Sequence, residues 1–225
     1  SASKAGTFWG EWAKEAPKTG WFKWADGKMK FEIDDSGAKI KPINQYEAIN
    51  GKTFQINDIL QHDELFKQYP KLKGYRVEFT NQEWTAGQII KDPKDPAQMI
   101  IKLSKSLLSQ DPKTLKSTLL HEIQHWIQDI EGFARGGSPD RIYQEMMNDP
   151  EYIKKTYWKT TQKESTEEAD KMYKSLAWEV ESRNVQTRMN MTAKERALKS
   201  PRSTEDVPRS KQIVRTDSKV VPNKK

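Results

Sequence analysis

The chain has 225 residues, of which 34% are hydrophobic and 32% charged, and its formal net charge is +7. This length suits one well-cored domain, and because the chain contains no cysteine, disulfides and thiolate zinc sites are excluded. No apolar run approaches the roughly 18 residues of a membrane span, and the N-terminal residues lack the apolar stretch of a signal peptide, so we expect no membrane segment.

Residues 1–105 are predicted to be rich in strands. Between residues 20 and 35 apolar residues alternate around Asp26-Gly27, a dipeptide that favours a type I′ hairpin turn. Residues 74–79 and 97–103 are also predicted to be strands, and the second of these comes shortly before the segment that holds two histidines.

Residues 106–200 are predicted to be helical and to complete a single domain with the strand-rich part. The clearest helix begins with Asp111 as its cap and Pro112 in its first turn, and it ends at Gly132. A shorter helix is expected to open at Ser138-Pro139, and a long one is expected over residues 165–190.

The helix that begins at Pro112 carries two of the three histidines of the chain, His121 and His125, with Glu122 between them. Residues i and i+4 of a helix are neighbours, so the two imidazoles can share one metal ion, and Glu122 can reach a water on that metal. Two neutral imidazoles and a carboxylate that accepts a proton are what a hydrolytic zinc site needs. The spacing therefore predicts Zn²⁺ as cofactor, His121 and His125 as its ligands and Glu122 as the base.

The third ligand has to be a carboxylate unless it is His62. The sequence around His62 favours a capping or buried structural role for this histidine. Two glutamates of the last long helix compete for the role. With about 100° per residue, Glu181 lies about 80° from the centre of the apolar face and Glu179 about 120° from it. Periodicity therefore favours Glu181, with Glu179 as the alternative and Asn184 on the same face as a group that could orient a ligand.

Residues 201–225 are predicted to form an extended basic tail or linker. They contain three prolines, no aromatic residue, and seven Lys or Arg against three Asp or Glu, which accounts for most of the net charge. A basic tail can bind phosphate without specificity, so a nucleic-acid-binding protein is a third and weaker hypothesis, and we expect no specific nucleic acid as partner.

HExxH with a glutamate on a later helix resembles the gluzincin branch of the zincin metallopeptidases. The phrases TGWFKWADGKMKFEIDDSGAKI, STLLHEIQHWIQDIEGFARGGSP, LAWEVESRNVQTRMNMT and TEDVPRSKQIV are similar to a metallopeptidase-like domain of the large polyvalent proteins of phages and related mobile elements. The resemblance covers about Gly20 to Val214.

This resemblance implies an α+β, zincin-like fold, in which a small twisted, mainly antiparallel sheet packs on the HExxH helix and the C-terminal half is helical. Residues 97–103 would be the edge strand that binds an extended substrate. It also implies His121 and His125 as ligands, Glu122 as base, a protein or peptide substrate, and a location that is cytoplasmic, virion-associated or inside a host cell.

Groups that could stabilise the transition state are less well marked in the sequence. Arg135 follows the motif helix in a glycine-rich loop, and Tyr143, Tyr152 and Tyr157 are possible hydrogen-bond donors. The leading hypothesis is thus a zinc metallopeptidase. The alternative is a non-catalytic zinc-binding scaffold or recognition domain of a phage or mobile-element polyprotein.

Overall fold

The computed structural model describes residues 20–82, 85–95, 98–133, 136–156, 160–216 and 219–222, which form a mixed α/β structure. The strands are β1 Trp21–Lys23, β2 Met29–Phe31, β3 Lys39–Ile40, β4 Thr53–Gln55, β5 Leu60–Gln61, β6 Arg76–Thr80, β7 Gly87–Lys91, β8 Met99–Ser104, β9 Ile213–Thr216 and β10 Lys219–Pro222. The helices are α1 Gln45–Ile49, α2 Ile56–Ile59, α3 Asp63–Gln68, α4 Pro112–Ile130, α5 Pro139–Met147, α6 Pro150–Thr156, α7 Gln162–Lys174, α8 Ala177–Arg188 and α9 Ala193–Leu198. No helix among these residues has the length and apolar character that a bilayer crossing requires.

The largest sheet has four strands in the order β4-β6-β8-β7. Strands β6 and β8 are parallel, and the two outer pairings are antiparallel, so the sheet is mainly antiparallel as expected. The prediction that residues 97–103 form the edge strand is wrong, because β8 lies between β6 and β7, and the edge strands are β4 and β7. The run Met99–Ser104 is largely buried, and a continuous apolar run of this kind belongs to an interior strand.

The hairpin predicted at Asp26-Gly27 is confirmed, but its turn is longer than expected. Strands β1 and β2 pair antiparallel, and Trp24 donates to the Lys28 carbonyl, which leaves a three-residue loop over 25–27. Gly27 has φ 82° and takes the left-handed position of such a loop, while the Asp26 carboxylate accepts a bond from the Lys28 N–H. The Asp26-Gly27 dipeptide alone predicted a two-residue type I′ turn, whereas the structure has a three-residue loop that the Asp26 side chain helps to close.

Helix α4 begins and ends as its sequence predicts. The Asp111 carboxylate accepts a 2.9 Å hydrogen bond from the Lys113 N–H, and Gly132 follows the helix with φ 63°. The helix packs on β7 and β8 on one side and on α8 on another. Its apolar residues Leu119, Ile123 and Trp126 belong to the main core, so packing on the sheet fixes the orientation of the remaining faces.

The predicted long helix over 165–190 is divided into α7 and α8. Leu176 has extended backbone angles, φ −59° and ψ 131°, and it separates Lys174 at the end of α7 from Ala177 at the start of α8. Strand β9 meets the chain at this break: the Ile213 N–H donates to the Ser175 carbonyl at 2.8 Å, and Ile213 forms a bridge with Leu176. The second helix therefore starts on a new axis.

Residues 201–216, part of the segment predicted to be an extended tail, contact the rest of the chain. Pro201, Gln212 and Arg215 are buried. Arg215 pairs with Glu145 of α5 at 2.6 Å, and Arg209 pairs with Glu205 at 2.8 Å. Several basic groups of this segment are thus engaged in ion pairs within the protein.

Candidate metal centre

His121 and His125 face each other on the side of α4 that packs against α8. Their Nε2 atoms are 3.0 Å apart, and their rings meet edge to face with centroids separated by 4.6 Å. His125 is buried and His121 is partly buried. The i and i+4 positions therefore bring the two imidazoles together as the sequence predicts.

Glu179 of α8 completes the group. Its Oε1 lies 3.3 Å from Nε2 of His125, and its Oε2 lies 3.6 Å from Nε2 of His121. Within the described ranges these three residues are the one cluster of His, Cys, Asp or Glu whose atoms could hold a metal ion together. The carboxylate beside the two histidines is thus that of Glu179, which periodicity had ranked second to Glu181.

The first choice, Glu181, lies elsewhere. Its Oε2 accepts a 2.6 Å bond from the Lys30 ammonium of the hairpin, and its Oε1 accepts a 2.8 Å bond from the Gln124 amide. The angular estimate assumed one unbroken helix from residue 165 onward. Because Leu176 interrupts that helix, the apolar face of α7 does not continue into α8, and the expected orientation of Glu181 was wrong.

The other ring nitrogens of the two histidines are held by glutamine oxygens. The Gln128 Oε1 lies 3.0 Å from His125 Nδ1, and the Gln186 Oε1 lies 3.2 Å from His121 Nδ1. Each amide nitrogen is committed to another acceptor: Gln128 donates to the Trp178 carbonyl, and Gln186 donates to Ser117. The amide oxygen of a glutamine, and not its nitrogen, therefore faces Nδ1 of each histidine.

An amide oxygen can only accept, so each Nδ1 must carry the proton. In the neutral tautomer this leaves a lone pair on each Nε2, and the two lone pairs point toward the same carboxylate. Two acceptors 3.0 Å apart beside an anion repel one another unless a metal ion or a proton lies between them. This hydrogen-bond pattern is the physical reason for regarding the group as a metal centre.

The distances also fit a small divalent ion. Ligand atoms at about 2.05 Å from a tetrahedral Zn²⁺ are about 3.3 Å apart. The two Nε2 atoms are 3.0 Å apart, and the two oxygens of Glu179 lie 3.3 Å from Nε2 of His125 and 3.6 Å from Nε2 of His121, so the separations lie around that value. Burial raises the pKa of Glu179, but hydrogen bonds and charge from His121 and His125, which these rings supply when Nε2 carries a proton, outweigh burial and lower the pKa below its ordinary value. An ionised Glu179 is suited to a cation.

Glu122 lies on the same helix, next to the metal group and under the edge strand. It is buried, it interacts electrostatically with His121 and Glu179, and it forms a hydrogen bond with the backbone of Ile89 in β7. Burial raises the pKa of Glu122 to about 7. A carboxyl with a pKa near neutral pH can both accept and return a proton, as a general base and acid must.

Two residues near the centre were not foreseen from the sequence. The indole of Trp178 stacks on His125 with centroids 5.0 Å apart and planes 13° from parallel. The Tyr173 phenol, at the end of α7, forms a hydrogen bond with Glu179 and interacts with Glu122. Burial raises the pKa of Tyr173, so the phenol stays protonated and able to donate. The helix break brings Tyr173 here, and no local signal in the sequence marks it.

The other predicted site residues serve elsewhere or lie outside the described residues. Asn184 donates to the Pro201 carbonyl at 2.9 Å and accepts from Thr204, so it holds the following segment rather than a ligand. Tyr143 packs against a second apolar cluster around Ile142. Tyr152 bonds to Glu168, and Arg135 and Tyr157 lie outside the described residues.

His62 is structural, as its sequence context suggests. Its Nε2 lies 2.7 Å from the Asp35 carboxylate, and its Nδ1 accepts from the Leu65 N–H at the start of α3. Both ring nitrogens are thus used inside the core.

Comparison with protein families gives a match over a short stretch of the chain. Residues 12–41 match a family model described as large polyvalent protein associated domain 23. This links the chain to the large polyvalent proteins of phages and mobile elements, over a stretch that includes the β1–β2 hairpin and precedes the metal group. No curated protein and no solved structure matches the chain.

Proposed function

We propose that this protein is a zinc-dependent metallopeptidase with a zincin-like fold. The observation that carries the proposal is the convergence of two imidazole Nε2 atoms and the Glu179 carboxylate on one point, with the buried Glu122 carboxylate beside them. A metal centre with three protein ligands and an adjacent base is the arrangement of a hydrolytic zinc site.

The residues divide the chemistry between them. His121, His125 and Glu179 would hold Zn²⁺, which when bound supplies a Lewis acid for the peptide carbonyl and lowers the pKa of water. Glu122 takes a proton from the attacking water and returns it to the leaving amine. Tyr173 has a protonated phenol next to Glu179 and Glu122, and its single O–H would turn from Glu179 to donate to the oxygen that becomes negative.

Strand β7 supplies a place for an extended polypeptide. It pairs with β8 on one side, and among the described residues no strand pairs with its other side. Ile89 of this strand bonds to Glu122, so an added substrate strand would run past the base. Backbone pairing of this kind gives affinity without strong sequence preference.

Replacing Gly87 with alanine is expected to lower peptidase activity by about tenfold to 100-fold while zinc content stays unchanged. A Cβ at this position would lie 2.7 Å from Glu122 Oε1 and 2.8 Å from Thr118 Cγ2, so the base has to move. The measurement is the cleavage rate of an unfolded polypeptide with metal analysis of the same sample. Gly37→Ala is the matched control, since its Cβ would meet nothing within 4 Å. Full activity in Gly87→Ala would argue against Glu122 as the base.

Removal of the metal tests the proposal as a whole. We expect about one zinc per chain by mass spectrometry, and we expect a chelator to abolish cleavage of an unfolded polypeptide and added zinc to restore it. Failure to bind zinc after reconstitution would reject the metal centre and the peptidase together.

A zinc-binding scaffold within a larger polyvalent protein is the second candidate, and the match of residues 12–41 favours it. A scaffold has no use for a buried carboxyl with a pKa near 7 beside the metal ligands. Zinc-loaded protein that cuts neither unfolded nor native polypeptides would favour the scaffold.

Arg209 and Arg215 form ion pairs within the protein, which argues against the third hypothesis, a basic tail that binds nucleic acid.

A further inference from the structure

A cavity of about 700 Å³ lies between the β1–β2 hairpin and helices α4 and α8. From α4 it is lined by Leu120, Gln124 and Ile127, a face about a third of a turn away from His121 and His125. The cavity and the metal centre therefore use different faces of one helix. Its volume is in the range of sites that hold small organic molecules.

The charged groups that line this cavity already have partners within the protein. Lys30 pairs with Glu181 at 2.6 Å, and Arg188 pairs with Glu32 at 2.6 Å. Arg196 also pairs with Glu32, and Asp35 bonds to His62, whereas Lys28 and Glu131 bond to uncharged groups, the Gly132 carbonyl and the Tyr69 phenol. Away from Lys28 and Glu131, a charged ligand would have to break one of these pairs or leave its own charge unpaired in a partly buried site.

What the cavity offers instead is aromatic and aliphatic surface. Trp21, Phe22 and Phe31 of the hairpin face Ile123 and Phe133 across it. Trp21 and Phe31 contact each other edge to face and are 46% and 45% exposed, so they border the opening. Large apolar side chains left exposed together at the rim of a cavity are typical of a binding site.

We infer that this cavity is a binding site for a neutral aromatic molecule. The hairpin that forms its wall lies within residues 12–41, so the stretch that matches the family model contributes to this cavity and not to the metal ligands. The inference is independent of the proposed peptidase function.

The test is a ligand-observed NMR titration of the full chain in the presence of a chelator. Three probes of equal size are compared at pH 7: 2-naphthol, which is neutral, 2-naphthoate and 2-naphthylmethylammonium. We expect saturable binding of the neutral probe and binding about tenfold weaker for the two charged probes. In Trp21→Ser/Phe31→Ser the affinity for 2-naphthol should also fall about tenfold. Tyr46→Ser is the control, since Tyr46 is 78% exposed and does not line the cavity.

Three outcomes would overturn the inference. The first is no binding of 2-naphthol, and the second is unchanged affinity in the double variant while circular dichroism shows both proteins folded. The third is binding that appears only in Phe8→Ser/Trp9→Ser/Trp12→Ser, which would mean that aromatic residues of the chain itself occupy the cavity.

Discussion

Replacing Glu122 with glutamine is expected to lower the rate of peptide cleavage by about 10²–10⁴-fold and to leave about one zinc per chain in place. Glutamine keeps the size of the side chain but cannot accept the proton of the attacking water. The metal ligands His121, His125 and Glu179 are untouched, so zinc affinity should not change. The measurement is cleavage of an unfolded polypeptide by zinc-loaded protein, with zinc determined on the same preparation.

Glu131→Gln is the matched control for this variant. Glu131 caps the end of the same helix and bonds to Tyr69, away from the metal group, so its loss should leave the cleavage rate unchanged. A Glu122→Gln protein with the activity of the wild type would contradict the role of base.

Glu179→Gln is expected to weaken zinc binding by about 100-fold, whereas Glu181→Gln should bind zinc as the wild type does. The reason is geometric, since Glu179 reaches the Nε2 atoms of both histidines and Glu181 is engaged by Lys30 and Gln124. Zinc affinity can be measured by competition with a chromophoric chelator. Both variants replace one glutamate of α8 with glutamine, so they differ only in whether the charge is lost beside the histidines or beside Lys30.

The unfolding free energy should report lost internal partners in both variants. Glu181→Gln leaves the buried Lys30 with only Asp26, at 3.8 Å, as an anionic partner, so its stability should fall in denaturant titrations of the zinc-free protein. Glu179→Gln loses the interactions with His121 and His125 that lower the pKa of Glu179, so its stability should fall as well at neutral pH, and zinc affinity is what distinguishes the two variants. Loss of zinc from Glu181→Gln with retention in Glu179→Gln would reverse our assignment.

The features that the sequence predicts correctly depend on local chemistry. Helix α4 has its own cap at Asp111 and its own stop at Gly132, and the histidine pair lies within it, so the helical repeat is sufficient to bring the imidazoles together. The hairpin around Gly27 is likewise marked by the residue that adopts a positive φ. Such signals do not require knowledge of the remaining chain.

The features that the sequence does not predict depend on distant contacts. The break at Leu176 is paired with Ile213, which is 37 residues further on, and no proline or glycine marks it. The position of β7 outside β8 is a matter of sheet order, which alternation within each strand does not encode. The choice between Glu179 and Glu181 follows from that break and could not be made from periodicity.

The contact between Ile213 and the break at Ser175 and Leu176 also bears on where this folding unit ends. A fragment cut after Ser200 would lose the backbone bond that holds the junction of α7 and α8, and with it the constraint on the direction of the helix that carries Glu179. The histidines would keep their spacing, because α4 sets it. The C-terminal boundary of the smallest unit that preserves the geometry of the centre therefore lies at or beyond Ile213, inside the segment whose composition resembles a linker.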